Sequence, residues 1–280
     1  MEQGRAWIDR LPGELTGQKA IMRRLLAFSE ADPDVCWLAI GCSVARGAGD
    51  RMSDLDMGIG VREEDFAAAR DRIRVAADGL GDLVESYRHQ LPGVPPPHER
   101  VFAQYADGCQ LDLVILPAVL PGGPLPRTVL LYDRDGQSAA AIAAPTEAPG
   151  PGPVQPREWA FGGWCALADL AKYVRRGSVW EALDRLHEAR TQLWRLHAAA
   201  SGIADPQYGL TSVLDFAPED IPAGIEETVA GLSLPSLLAA ARQVARLLTA
   251  TGQRLPAETQ AALPQAMARY VAQLLDSIEV

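Results

Sequence analysis

Apolar and polar positions change rhythm along this chain, and the change divides it in two. In the first half, apolar runs of strand length alternate with helical stretches. Residues 17–30 place Ile21, Leu25 and Phe28 on one helical face, and residues 35–40 form a short apolar run that reads as a strand. A second strand is expected from about 54 to 61, where Leu55, Met57 and Ile59 alternate with Asp54, Asp56 and Gly58. Residues 63–80 are helical in composition and laced with charge. The runs 101–105 and 109–116 flank Asp107-Gly108, which predicts a hairpin closed by a type I′ turn. Residues 128–132 add another strand, ended by the turn-like Asp133-Arg134-Asp135-Gly136.

The rhythm breaks at residues 145–156, a stretch dense in proline and glycine. Proline lacks the backbone donor and fixes φ, so this stretch reads as an extended linker. After it the pattern is helical: 159–174, 178–200, 233–249 and 258–278 carry apolar residues at helical intervals. Ser178 with Glu181 reads as a capping box, and Tyr270, Leu274 and Ile278 as a stripe facing a bundle core. The expected fold is α+β: an N-terminal mixed-sheet domain (1–144), the linker (145–156) and a C-terminal α-helical bundle (157–280).

Composition narrows the class. Among 280 residues, 48% are apolar and 22% charged, the balance of a globular chain. No run approaches the roughly 20 apolar residues that span a bilayer, and the first residues lack a secretory layout. The four cysteines (Cys36, Cys42, Cys109, Cys165) include no CxxC pair, which points to reduced thiols and a cytoplasmic location. The four histidines show no metal-ligand spacing. A formal charge of −10 disfavours nucleic acid as a partner and is compatible with a cationic small substrate.

The chemistry concentrates near residue 50. Asp54 and Asp56 alternate with apolar neighbours, so both carboxylates share one face of a strand. Side by side they repel unless a cation neutralises them, and paired hard oxygens suit Mg²⁺ completed by a substrate's phosphates. Two-ion phosphoryl or nucleotidyl transfer calls for a third carboxylate on a neighbouring strand. Asp112, interrupting the apolar run 109–116, meets that requirement; the plainer alternative is an exposed strand position beside Gln110. Glu85 and Glu99 are candidate carboxylates for a cationic acceptor. Trp159, Trp164, Trp180 and Trp194 read mainly as core residues. His187 and His197, with Arg185, Arg190 and Arg195, read as solvated helix surface.

Gly41-Cys42-Ser43-Val44-Ala45-Arg46-Gly47 followed by Ser53-Asp54-Leu55-Asp56 resembles the signature of the DNA polymerase β-like nucleotidyltransferase superfamily. The match is closest to its aminoglycoside and lincosamide branch, whose members pair such a sheet domain with a helical one. The resemblance implies transfer of a nucleoside monophosphate, AMP from ATP or another nucleoside triphosphate, to a small-molecule hydroxyl in the cleft between the domains. It implies two Mg²⁺ ions on Asp54, Asp56 and Asp112, with Asp112 alternatively the general base. Gly41, Cys42, Ser43 and Arg46 would hold the triphosphate, and Lys172 would reach it from the helical domain. Cys42 departs from the pattern: it stands where the family has glycine, and cysteine does not freely adopt φ > 0. It reads as a small buried filler, with a reactive thiol as the alternative. A different class of function, a regulatory or antitoxin-like module that modifies a protein partner, is disfavoured by the attached bundle. A homodimer sharing one active site stays open.

Overall fold

The computed structural model describes residues 2–90, 98–118, 128–136 and 154–279. Contacts group the chain into two compact units, Met1–Thr146 and Glu147–Val280. The expected linker 145–156 lies outside the described residues up to position 153. A helix already runs from Val154, with Pro156 in its first turn, where a missing N–H leaves no hydrogen bond unmade.

The first unit contains α1 (Glu2–Arg10), α2 (Thr16–Ala31), β1 (Val35–Ile40), α3 (Cys42–Ala45), β2 (Leu55–Val61), α4 (Phe66–Asp78), β3 (Leu83–Gln90), β4 (Glu99–Tyr105), β5 (Gln110–Pro117) and β6 (Val129–Asp133). The strands form one mixed sheet in the order β3-β4-β5-β2-β1-β6. Among the described residues only the β2–β5 pair is parallel. One face buries Leu55, Met57, Ile59, Leu111, Leu113 and Ile115 against Ile21 and Leu25 of α2 and Ile73 of α4. Each such side chain contributes about 1.5–3 kcal/mol on burial. On the opposite face Trp37 lies flat over β2. A β-carbon at Gly60 would sit 2.1 Å from the indole, so only glycine admits the ring there. The Trp37 Nε1–H donates to the Ala118 carbonyl at 3.0 Å.

Helix α1 and strand β3 escape the sequence pattern. The polar helix α1 has few apolar positions, and β3 is an edge strand whose Val84 and Tyr87 are exposed, so neither shows a clean period. The hairpin at residues 105–109 forms, but with a different turn. The Gly108 N–H donates to the Tyr105 carbonyl at 3.0 Å, and Gly108 alone in the turn has positive φ (+91°). This is a three-residue loop, a type I turn closed by a glycine bulge, in place of the type I′ turn. Glu99 is 2% exposed and ion-paired with Arg74 of α4, so it braces the sheet and is unavailable to an acceptor.

The second unit contains α5 (Val154–Arg175), α6 (Val179–Ala200), α7 (Leu210–Phe216), α8 (Leu234–Gly252), α9 (Ala257–Ala262) and α10 (Gln265–Asp276). Leu167, Leu170, Leu186, Leu193, Leu237, Val244, Val271 and Leu275 form its core. Ser233 caps α8 by accepting from the Ser236 N–H at 3.4 Å. The Ser178 hydroxyl instead donates to the Glu181 carboxylate, so the expected capping box does not close on the backbone. The expected helix 258–278 is broken: Leu263 is extended and Pro264 cannot donate, which ends α9 and starts α10. The buried stripe on α10 runs through Val271, Leu275 and Ile278, while Tyr270 is exposed. Trp164 is core, whereas Trp180 faces solvent. His197 is buried with Nε2 2.6 Å from the Asp220 carbonyl oxygen, and desolvation holds its pKa below the ordinary value. Among the described residues no helix is long and apolar enough to cross a membrane.

Candidate active site

The parallel pairing of β2 with β5 decides where the carboxylates meet. Its register sets Asp56 directly beside Asp112, with Leu55 beside Leu111 and Met57 beside Leu113 turned to the core. Two residues apart along a strand is the same face, so Asp54, the last residue before β2, joins them. Asp112 is 8% exposed, and Asp54 and Asp56 are half-buried. Burial, followed by the Asp54 and Asp112 charges, pushes the Asp56 carboxyl above the usual carboxylate range.

A short helical turn lies against this pair. Gly41 ends β1 and its N–H donates to the Asp56 carbonyl at 2.8 Å, tying the turn to β2. α3 follows, anchored by the fully buried Val44. Cys42 enters α3 with φ +53°, in the left-handed region that glycine occupies freely and a β-carbon does not. The sequence departure therefore falls where the backbone asks for glycine. Cys42 is exposed and is no buried filler. Its thiol lies within hydrogen-bonding reach of Asp56. Desolvation, then the Asp56 charge, push the thiol pKa up to about 12. Ser43 is half-buried in the same turn, its carbonyl accepting from the Ala48 N–H at 3.0 Å. Arg46 caps α3, close enough for its charge to pull on the Cys42 thiol.

Two residues of the site have no counterpart in the sequence reading. Arg100 of β4 grips Asp112 with both arms of its guanidinium, Nε donating to Oδ1 at 2.6 Å and Nη2 to Oδ2. It is reached through the hairpin register, which puts Phe102 opposite Asp112 and Arg100 opposite Val114. A two-residue turn would have shifted that register by one and sent Arg100 to the core face. Gln18, buried on α2, donates to the Ser53 carbonyl at 3.0 Å and the Arg51 carbonyl at 3.2 Å, holding the loop that delivers Asp54. A buried glutamine on an otherwise apolar helix face was the available signal for it. Lys172 lies on α5 of the second unit, paired with Asp169 at 2.5 Å and beside the Tyr173 ring.

No family model and no curated protein matches this chain. Solved structures similar to it include the following two. One is an aminoglycoside 6-adenyltransferase from Bacillus subtilis, 15% identical, covering 93% of this chain and 97% of that one with a TM-score of 0.41. The other is a nucleotidyltransferase-like protein from Exiguobacterium sibiricum 255-15, 12% identical, covering 85% and 76% with a TM-score of 0.39. Neither likeness carries a residue role to this chain.

The fit to a cation rests on the site's own charges. Among the described residues no three His, Cys, Asp or Glu side chains close on one point, and Asp112 is held by Arg100. Asp54 and Asp56 nonetheless share one face, and burial, then the Asp54 charge, hold the Asp56 carboxyl above its usual range. A hard divalent ion needs only one or two carboxylates when phosphate oxygens and water complete its shell.

Proposed function

We propose that the sheet unit catalyses Mg²⁺-dependent transfer of a nucleoside monophosphate, AMP from ATP in the first instance, to a hydroxyl of a small molecule. The observation that carries the reading is Asp56 set beside Asp112 on the parallel β2–β5 pair, with Asp54 on the same face. Asp54 and Asp56 would hold Mg²⁺, which when bound neutralises the triphosphate charge. Ser43, the amide of Cys42 and Arg46 would orient the phosphates. Asp112 takes the proton from the acceptor hydroxyl. Its Arg100 contact uses one lone pair on each oxygen and leaves the others free. The acceptor oxygen bonds the α-phosphorus, the bond to the β-phosphate bridging oxygen breaks, and pyrophosphate leaves.

The acceptor we infer is cationic, on the strength of the −10 net charge, with an aminoglycoside or lincosamide antibiotic the first class to test. Pyrophosphate release from each of the four nucleoside triphosphates, measured with Mg²⁺ against an antibiotic panel, tests the reading. Asp54→Ala and Asp56→Ala should each lower turnover by at least about a hundredfold, the scale of losing transition-state charge stabilisation. Folding, followed by circular dichroism, should survive both. Full activity in either variant would remove the metal assignment. Label from the nucleotide appearing in a polypeptide, and not in the low-mass fraction, would replace the small-molecule acceptor with a protein one.

A further inference from the structure

A cavity of about 510 Å³ opens on the helical unit, where one face of α6 meets the 3₁₀ turn Pro206–Tyr208. His187, Arg190, Thr191, Trp194 and Arg195 line it from α6, and Tyr208 lines it from the turn. The spacing puts 187, 190, 191 and 194 on one helical face. Gly209, with φ +58°, lets the turn come in close: a β-carbon there would lie 3.3 Å from both Trp194 Cβ and Arg195 Cγ.

The lining of this cavity is basic. The chain carries 36 acidic against 26 basic residues, yet no Asp or Glu lines the cavity. Among the described residues neither Arg190 nor Arg195 has a carboxylate partner. Arg190 Nη1 donates to the Thr228 carbonyl at 3.1 Å; Arg195 donates through Nε to the Gln207 carbonyl at 3.0 Å and through Nη1 to the Gln192 side-chain oxygen at 3.4 Å. Each guanidinium keeps further N–H groups free. The Arg190 guanidinium and the exposed His187 imidazole, three residues apart on the same helical face, suit a phosphate. Tyr208 is two-thirds exposed, an aromatic face at the rim.

We infer that this cavity binds a mononucleotide, its phosphate on Arg190 and His187 and its base against Tyr208 and Trp194. The site lies wholly within the helical unit and does not depend on the carboxylates of the sheet. Isothermal titration of the full chain with AMP, in buffer containing a metal chelator, tests it. AMP should give a single saturable site. Adenosine and inorganic phosphate should each bind at least about tenfold more weakly, because each supplies only the stacking or only the ionic contact. Arg190→Gln and Tyr208→Ala should each cost about tenfold in affinity. Tyr208 is exposed, so its variant reports even if Arg190→Gln unsettles the Thr228 contact; melting curves identify that case. Binding should persist in the Asp54→Ala/Asp56→Ala chain, which separates this site from the proposed catalytic one. AMP affinity unchanged in Tyr208→Ala, adenosine binding as tightly as AMP, or no saturable heat at millimolar AMP would each overturn the inference.

Discussion

Cys42 carries the chain through a left-handed backbone position at the entrance to α3, beside the carboxylate it can hydrogen-bond. A residue with a β-carbon held there costs about 1 kcal/mol or more relative to glycine. Cys42→Gly is therefore expected to raise stability by about 1 kcal/mol in urea unfolding, and Cys42→Val, branched at the β-carbon, to lower it by more. Equal stability of the three proteins would mean that the turn relaxes at no cost. The same residue shows how far single positions could be read in advance. Asp112 was legible because a carboxylate inside an apolar run needs a reason. Arg100 was not, because its partner is chosen by strand register and nothing in residues 99–105 marks one face as the site.

At the scale of elements, α4 is clamped to its neighbours by guanidinium–carboxylate pairs, and the Asp32–Arg72 pair is the one with a clear pH signature. Arg72 donates to Asp32 through Nε at 2.7 Å and Nη2 at 3.0 Å, and Asp32 also accepts from the Asp34 N–H at 3.0 Å. The Arg72 hydrogen bonds hold the Asp32 carboxyl below the usual carboxylate range. A lowered folded-state pKa means the folded chain binds fewer protons, so the stabilisation is present above the unfolded pKa and lost as pH falls through the folded one. Arg72 is 43% exposed, which trims the contribution to about 1–2 kcal/mol. Asp32→Asn should cost that amount in chemical denaturation at neutral pH, and the gap to the wild-type chain should close in acid. A gap that is constant with pH would assign the effect to packing. Elements with a strong internal period, α2, β1, β2 and β5, were legible from sequence. The edge strand β3 was not, since exposure on both faces erases alternation.

At the scale of the whole molecule, each unit buries its own apolar core, one beneath the sheet and one among the helices. Separate cores predict separate folding. Polypeptides 1–146 and 147–280, expressed alone, should each give dispersed amide spectra and a cooperative thermal transition. An unfolded fragment would show that its core needs the other half of the chain.

Apolar spacing and a change of rhythm determined the division into a mixed-sheet half and a helical half, because periods of two and of 3.6 residues are properties of local sequence. The alternation of Asp54 and Asp56 likewise fixed their common face before any strand partner was known. Only the tertiary structure decided what stands opposite them. The parallel β2–β5 register set Asp56 beside Asp112, and one extra residue in the hairpin loop turned Arg100 onto the same face. Pairings between distant segments depend on registers that a single residue can shift, and that information lies in the packing of the sheet, outside any one stretch of the chain.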